Sequence, residues 1–195
     1  MNLVPTWDLF ILIFAVIIIA YSFIIGRDRT IKIIISSYIA ILAADGIGNL
    51  AYTHLLGPGA TFPIMSISLE NEYLALIKVV GFIATIVLMT LHGSFEADIN
   101  DGNSHLVSLA VTMFYGIMSA ALIVSAILVY VSGGSFVTAF MKEVSVLPSE
   151  LAKSIYNQSQ LAKMMIDNSA LLFSLPAVAF VVSSFTVHKP KAEEA

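Results

Sequence analysis

Five stretches of this chain run for 17 or more residues with few or no charges, a pattern that a water-soluble fold has no means of accommodating. The hydrocarbon core of a bilayer is about 30 Å thick and takes about 20 apolar helical residues to cross. The composition agrees: 58% of the 195 residues are hydrophobic and 11% are charged, and the mean hydropathy is +0.94. Lipid offers backbone N–H and C=O groups no partner, so even the β-branched runs are expected to be helical. The expected fold is all-α, a polytopic transmembrane bundle of four or five spans with one amphipathic helix, in a single membrane domain over residues 1–188 and a disordered tail over 189–195.

The spans are placed at 9–25, 31–51, 73–91 and 106–131. The first has no basic segment before it and no Ala-x-Ala exit after it, so it is read as a retained span rather than a signal peptide. Five residues separate it from the second, which implies a helical hairpin. Gly133 and Gly134 break the fourth run. A fifth stretch, 168–187, contains Pro176 and several serines and either crosses or re-enters. Between these last two, Ser149 and Glu150 open a helix over 150–167. Leu151, Ile155, Ala162, Met165 and Ile166 share one face of it, which suits the membrane surface, a gate over a cavity, or packing across the end of the bundle.

Arg27, Arg29 and Lys32 crowd the first hairpin loop and set the expected orientation, with that loop cytoplasmic and the N-terminus outside. The segment 52–72 has no basic residue and falls outside as well, while Lys189 and Lys191 fall inside after a fifth crossing. Lys142, Lys153 and Lys163 run against this pattern.

Hydrophobicity does not join helices within lipid, but close approach through small residues does. Ser36, Ala40, Ala44 and Gly48 recur at intervals of four in the second span, and Ser108, Thr112, Gly116 and Ala120 in the fourth. Each set is expected to form a packing seam, within the chain or between copies. Intramembrane charge is costly and faces protein or water. Asp45 lies roughly 21 Å from Ile31 at 1.5 Å per residue, and Lys78 enters the next span from the opposite direction to a similar depth. The two are expected to face each other, as a proton or ion relay or as a structural pair; otherwise they snorkel separately.

Enzyme signatures are missing: there is no HExxH, GxSxG, Walker or GxGxxG pattern. Asp98, Asn100, Asp101, Gly102 and Asn103 approach a calcium loop but place the glycine one position early. His92, Gly93 and Ser94 lack a positioned third partner for hydrolysis. His54 and His105 read as loop histidines, Trp7 and Tyr73 as interface aromatics, and the Asn157-Gln158-Ser159 sequon as chance. Without cysteine there are no thiolate ligands, and no cofactor or metal is expected. A net charge of -4 argues against a nucleic-acid partner. The expected partners are membrane lipids and either further copies of the chain or other membrane proteins.

Asp8 before the first span, Gly26 at its end, the arginine-bearing loop, Asn103 ahead of the Ser108, Thr112 and Gly116 ladder, the serine-containing amphipathic helix, and Leu175-Pro176 together resemble the CvpA family of bacterial membrane proteins over residues 6–177. The chain departs from the family pattern in having Thr30 near the place of a second loop glycine, and Ser108 and Thr112 in place of two ladder glycines. The resemblance implies a non-enzymatic inner-membrane protein with an accessory or scaffold role in toxin production or export and in envelope homeostasis. A small oligomeric transporter or channel using Asp45 and Lys78 is the alternative.

Overall fold

The computed structural model describes residues 6–56, 70–93, 105–136 and 150–186. Every element among them is helical: α1 (Trp7–Ile25), α2 (Arg27–Ala51), α3 (Glu70–His92), α4 (His105–Val131), α5 (Glu150–Gln158), α6 (Gln160–Asp167) and α7 (Ser169–Thr186). A π-helical turn, Tyr52–Leu56, extends α2. Four helices are long and apolar enough to cross a membrane, and five crossings result if α6 and α7, bent 62° from each other, count as one. The molecule is thus an all-α, multi-pass bundle. The tail 189–195, Ser149 and the stretch from Asp98 to Asn103 lie outside the described residues.

The hairpin loop expected over 26–30 shrinks to one residue. Gly26 takes φ 82°, a conformation that costs glycine nothing, and its N–H donates to Ser22 O at 3.1 Å. Thr30 then donates its hydroxyl to Gly26 O at 2.8 Å, and α2 begins at once. Arg27, Arg29 and Lys32 therefore occupy the first turns of a helix rather than a loop. The two arms also divide their packing between other helices, α1 chiefly against α4 and α2 chiefly against α3.

The helix α4 is central, touching α1, α2, α3, α6 and α7. Within its membrane-length window 67% of residues are buried, against 11% for α1, whose apolar surface faces outward. It ends where Gly133 turns left-handed at φ 79°, with Gly133 N–H donating to Tyr130 O and Gly134 N–H to Val129 O, both at 2.9 Å. This is the paired capping that glycine permits.

The amphipathic helix expected over 150–167 is two helices. Ser159 is extended, at φ -122° and ψ 113°, and caps α6 by accepting the Ala162 N–H. The break follows from a tertiary contact: Asp8 Oδ1 accepts the Ser159 hydroxyl and the Leu161 N–H at 3.1 Å. The apolar face of this elbow, with Ile155 and Ala162 buried, packs on Ile11, Val124 and Leu128. The elbow packs across one end of the bundle, against α1 and α4. Trp7 is packed against this cluster as well. Other differences are smaller: His105 opens α4 and His54 sits in the π turn, so neither is in a loop. Pro176 lies inside α7, within the fifth apolar stretch. Proline removes one backbone donor there. Tyr38 of α2 donates its hydroxyl to the nearby Phe173 carbonyl at 2.6 Å.

Candidate functional site

The helices α2 and α3 run antiparallel, and three contacts set their register. Lys32 donates to the carbonyl of Gly93 just past α3, a Cβ on Gly81 would lie 3.9 Å from Ala44 Cα, and Gly48 lies against the stem of Lys78. That register brings the two intramembrane charges together. Lys78 Nζ lies 3.5 Å from Asp45 Oδ1, and the residues are 6% and 2% exposed. Neither faces lipid.

The site extends beyond the pair. Lys78 Nζ donates to the carbonyl of Gly134 at 3.2 Å and sits 5.8 Å from the centroid of the Tyr130 ring. The reversal at Gly133 delivers that carbonyl, and the negative end of the α4 dipole adds to it. Tyr130 in turn donates its hydroxyl to Ile41 O, one turn before Asp45, at 2.9 Å, and its ring meets Phe82 edge-on at 5.9 Å. A carboxylate, a carbonyl and a ring face thus surround one ammonium and replace part of the solvation it gives up on burial.

Gly48 is the residue that makes room. A Cβ there would stand 2.6 Å from Lys78 Cε and 2.7 Å from Cγ, whereas one on Gly46 would meet nothing within 4 Å. Ser36, Ala40, Ala44 and Gly48 are all buried, and the close approaches of this ladder at Ala44 and Gly48 are to α3. The other ladder serves a different helix: Thr112, Gly116 and Ala120 are buried, and a Cβ on Gly116 would be 3.1 Å from Ser22 Cβ of α1. Ser108 lies on α4, with its side chain outside the described set. Both seams therefore form within one chain.

Among the basic residues expected to set topology, Arg29 is exposed, Arg27 is buried with Nε 3.7 Å from Asp28 Oδ1, and Lys32 caps α3. Tyr130 and Gly134 carried no site signal in the sequence, because a tyrosine in an uncharged run looks like core and a glycine pair looks like a stop. Asp8 and Ser159 are separated by 150 residues and were likewise unlinked. Among the described residues no group of three or more His, Asp or Glu could hold a metal ion. No family model, curated protein or solved structure matches the chain.

Proposed function

We propose that this is a non-enzymatic, CvpA-like protein of the bacterial inner membrane, with its N-terminus outside, acting as a scaffold or accessory component of toxin export and envelope homeostasis. One observation carries the scaffold part of this reading: the Asp45–Lys78 pair is closed in by packing. Gly48 presses on the lysine stem, and Gly134 O engages the ammonium together with the carboxylate. A charge that must load and release a substrate needs a freer environment than this, whereas a pair that fixes helix register needs one of this kind. The family and the location rest on the motif resemblance from Asp8 to Pro176, and the orientation rests on Arg27, Arg29 and Lys32 at one end of the bundle.

The second reading, a small oligomeric transporter or channel, draws on three other residues. Ser36, Ser119 and Ser125 have buried hydroxyls with no hydrogen-bond partner among the described residues, and buried polar groups of that kind often mark internal water. Charge reversal separates the two readings. A scaffold loses membrane abundance in Asp45→Lys or Lys78→Asp and regains it in the double swap, with no ion or proton flux above that of empty liposomes in any form. A wild-type flux abolished in the abundant double swap would replace the scaffold with the transporter.

A further inference from the structure

Hydrophobicity does not hold the α5–α6 elbow in place. Its apolar side chains Ile155, Leu161, Ala162, Met165 and Ile166 lie against α1 and α4, but lipid chains solvate such groups as well as protein does. An amphipathic helix at a membrane surface can bury the same face among acyl chains and keep its polar face among the headgroups. Here that polar face comprises the exposed Asn157, Gln160 and Lys163. Preference for the docked position must come from a contact that lipid hydrocarbon does not offer.

Such a contact is present among the described residues. Asp8, in the first turn of α1, places one carboxylate oxygen where it accepts both the Ser159 hydroxyl and the Leu161 N–H, while Ser159 Oγ accepts the Ala162 N–H at 2.9 Å. The carboxylate thereby meets the positive end of α6 and satisfies backbone donors left over at its start. The elbow also has points about which to turn: the extended Ser159 between α5 and α6, and the 62° bend between α6 and α7.

We propose that the α5–α6 elbow exchanges between a position docked on α1 and α4 and one laid in the bilayer interface, with Asp8 as the catch that selects the docked position. The partner of its apolar face is thus either the bundle or the lipid surface. Undocking uncovers Val124, Leu128 and Val131 of α4, and Val131 stands three residues before the Gly134 carbonyl that holds Lys78. Movement of the elbow therefore reaches the polar centre along α4, which extends the functional proposal without depending on it.

The chain has no cysteine, so spin labels on introduced cysteines report distances without background. Labels go on Met164→Cys of the elbow and Thr53→Cys at the same end of the bundle, both exposed positions, in lipid nanodiscs. The expected result is one narrow distance population for otherwise unaltered protein, and at least a tenfold larger second population in Asp8→Ala. Asp8→Asn, which keeps an acceptor oxygen, is expected between the two. An Asp8→Ala distribution identical to that of the unaltered protein, or two equal populations before any change at Asp8, overturns the proposal. If Asp8→Ala also broadens a reference pair on Leu42→Cys and Leu76→Cys, Ser159→Ala decides the matter. A second elbow population with the reference pair intact then supports the catch, and a single population removes it.

Discussion

At the scale of single residues, the polar centre shows how one missing methyl group admits a charge. The four carbons of the Lys78 stem cross α2 at Gly48, and Gly48→Ala forces that stem off its path. Overpacking of this kind costs about 1–3 kcal/mol, so Gly48→Ala is expected to lower the thermal midpoint in nanodiscs, while Gly46→Ala, with open space around it, leaves the midpoint unchanged. Lys78→Met strands the Asp45 carboxylate, a loss of about 3–5 kcal/mol when one partner of a buried pair is removed. Adding Asp45→Leu to Lys78→Met is expected to restore most of that midpoint, and a double variant no more stable than the single one would show that the pair does more than balance charge. Outside the spans, the Asp167 carboxylate accepts the Tyr156 hydroxyl at 3.1 Å, and this bond raises the phenol's pKa above its ordinary value. A raised phenol pKa favours the fold while the phenol is protonated, so the contribution is complete below about pH 10 and disappears as pH climbs through the raised value. Subtracting the ultraviolet alkaline titration of Tyr156→Phe from that of the parent isolates this residue, and Asp167→Asn is expected to move its midpoint downward.

At the scale of elements, two seams of small residues do separate work. The α1–α4 seam closes at Gly116 against Ser22, so Gly116→Ile is expected to push α1 off the bundle and speed amide exchange along α1, with α2 and α3 protected as before. Equal loss of protection in all three would mean that the seams are not independent. The two seams were visible as intervals of four, but their partners were not, since a small residue admits a neighbour without specifying which one. The elbow shows the converse. Its amphipathic pattern was plain, yet the break at Ser159 was not, because an unbroken helix satisfies the same periodicity and only Asp8, 151 positions away, makes an extended serine favourable. The fifth segment is tied by Tyr38 to a carbonyl near Pro176. Interhelical hydrogen bonds in membranes average about 0.6 kcal/mol. Tyr38→Phe is therefore expected to leave the melting temperature nearly unchanged while local hydrogen exchange around Phe173 rises about threefold.

At the scale of the molecule, the capped junction at Gly26 and the charged pair at Asp45 lie toward opposite ends of the bundle. Arg27, Asp28 and the end of α3 share one end, where Lys32 meets Gly93. Asp8, the elbow and the end of α4 share the other, where Asp8 meets Ser159 and Gly134 meets Lys78. A membrane-impermeant maleimide is therefore expected to label Asp28→Cys and Gln158→Cys from opposite sides of sealed vesicles. Labelling of both from one side would contradict a bundle that crosses the bilayer as these helices do. The proposed orientation makes the Gln158 side external.

An apolar run long enough to cross a bilayer must become a helix there, because no other local structure satisfies its backbone. Helical class, the main spans and the matching level of the two buried charges could therefore be read from the order of residues alone. Of the helix neighbours, only α2 beside α3 could be read, from Asp45 and Lys78; the rest could not, because lipid and protein are equally good company for a leucine. That choice was made by contacts between distant residues: Gly48 with Lys78, Gly116 with Ser22, Asp8 with Ser159, and Tyr130 with Ile41. Each joins groups whose partnership is favourable only after the whole chain has brought them within reach.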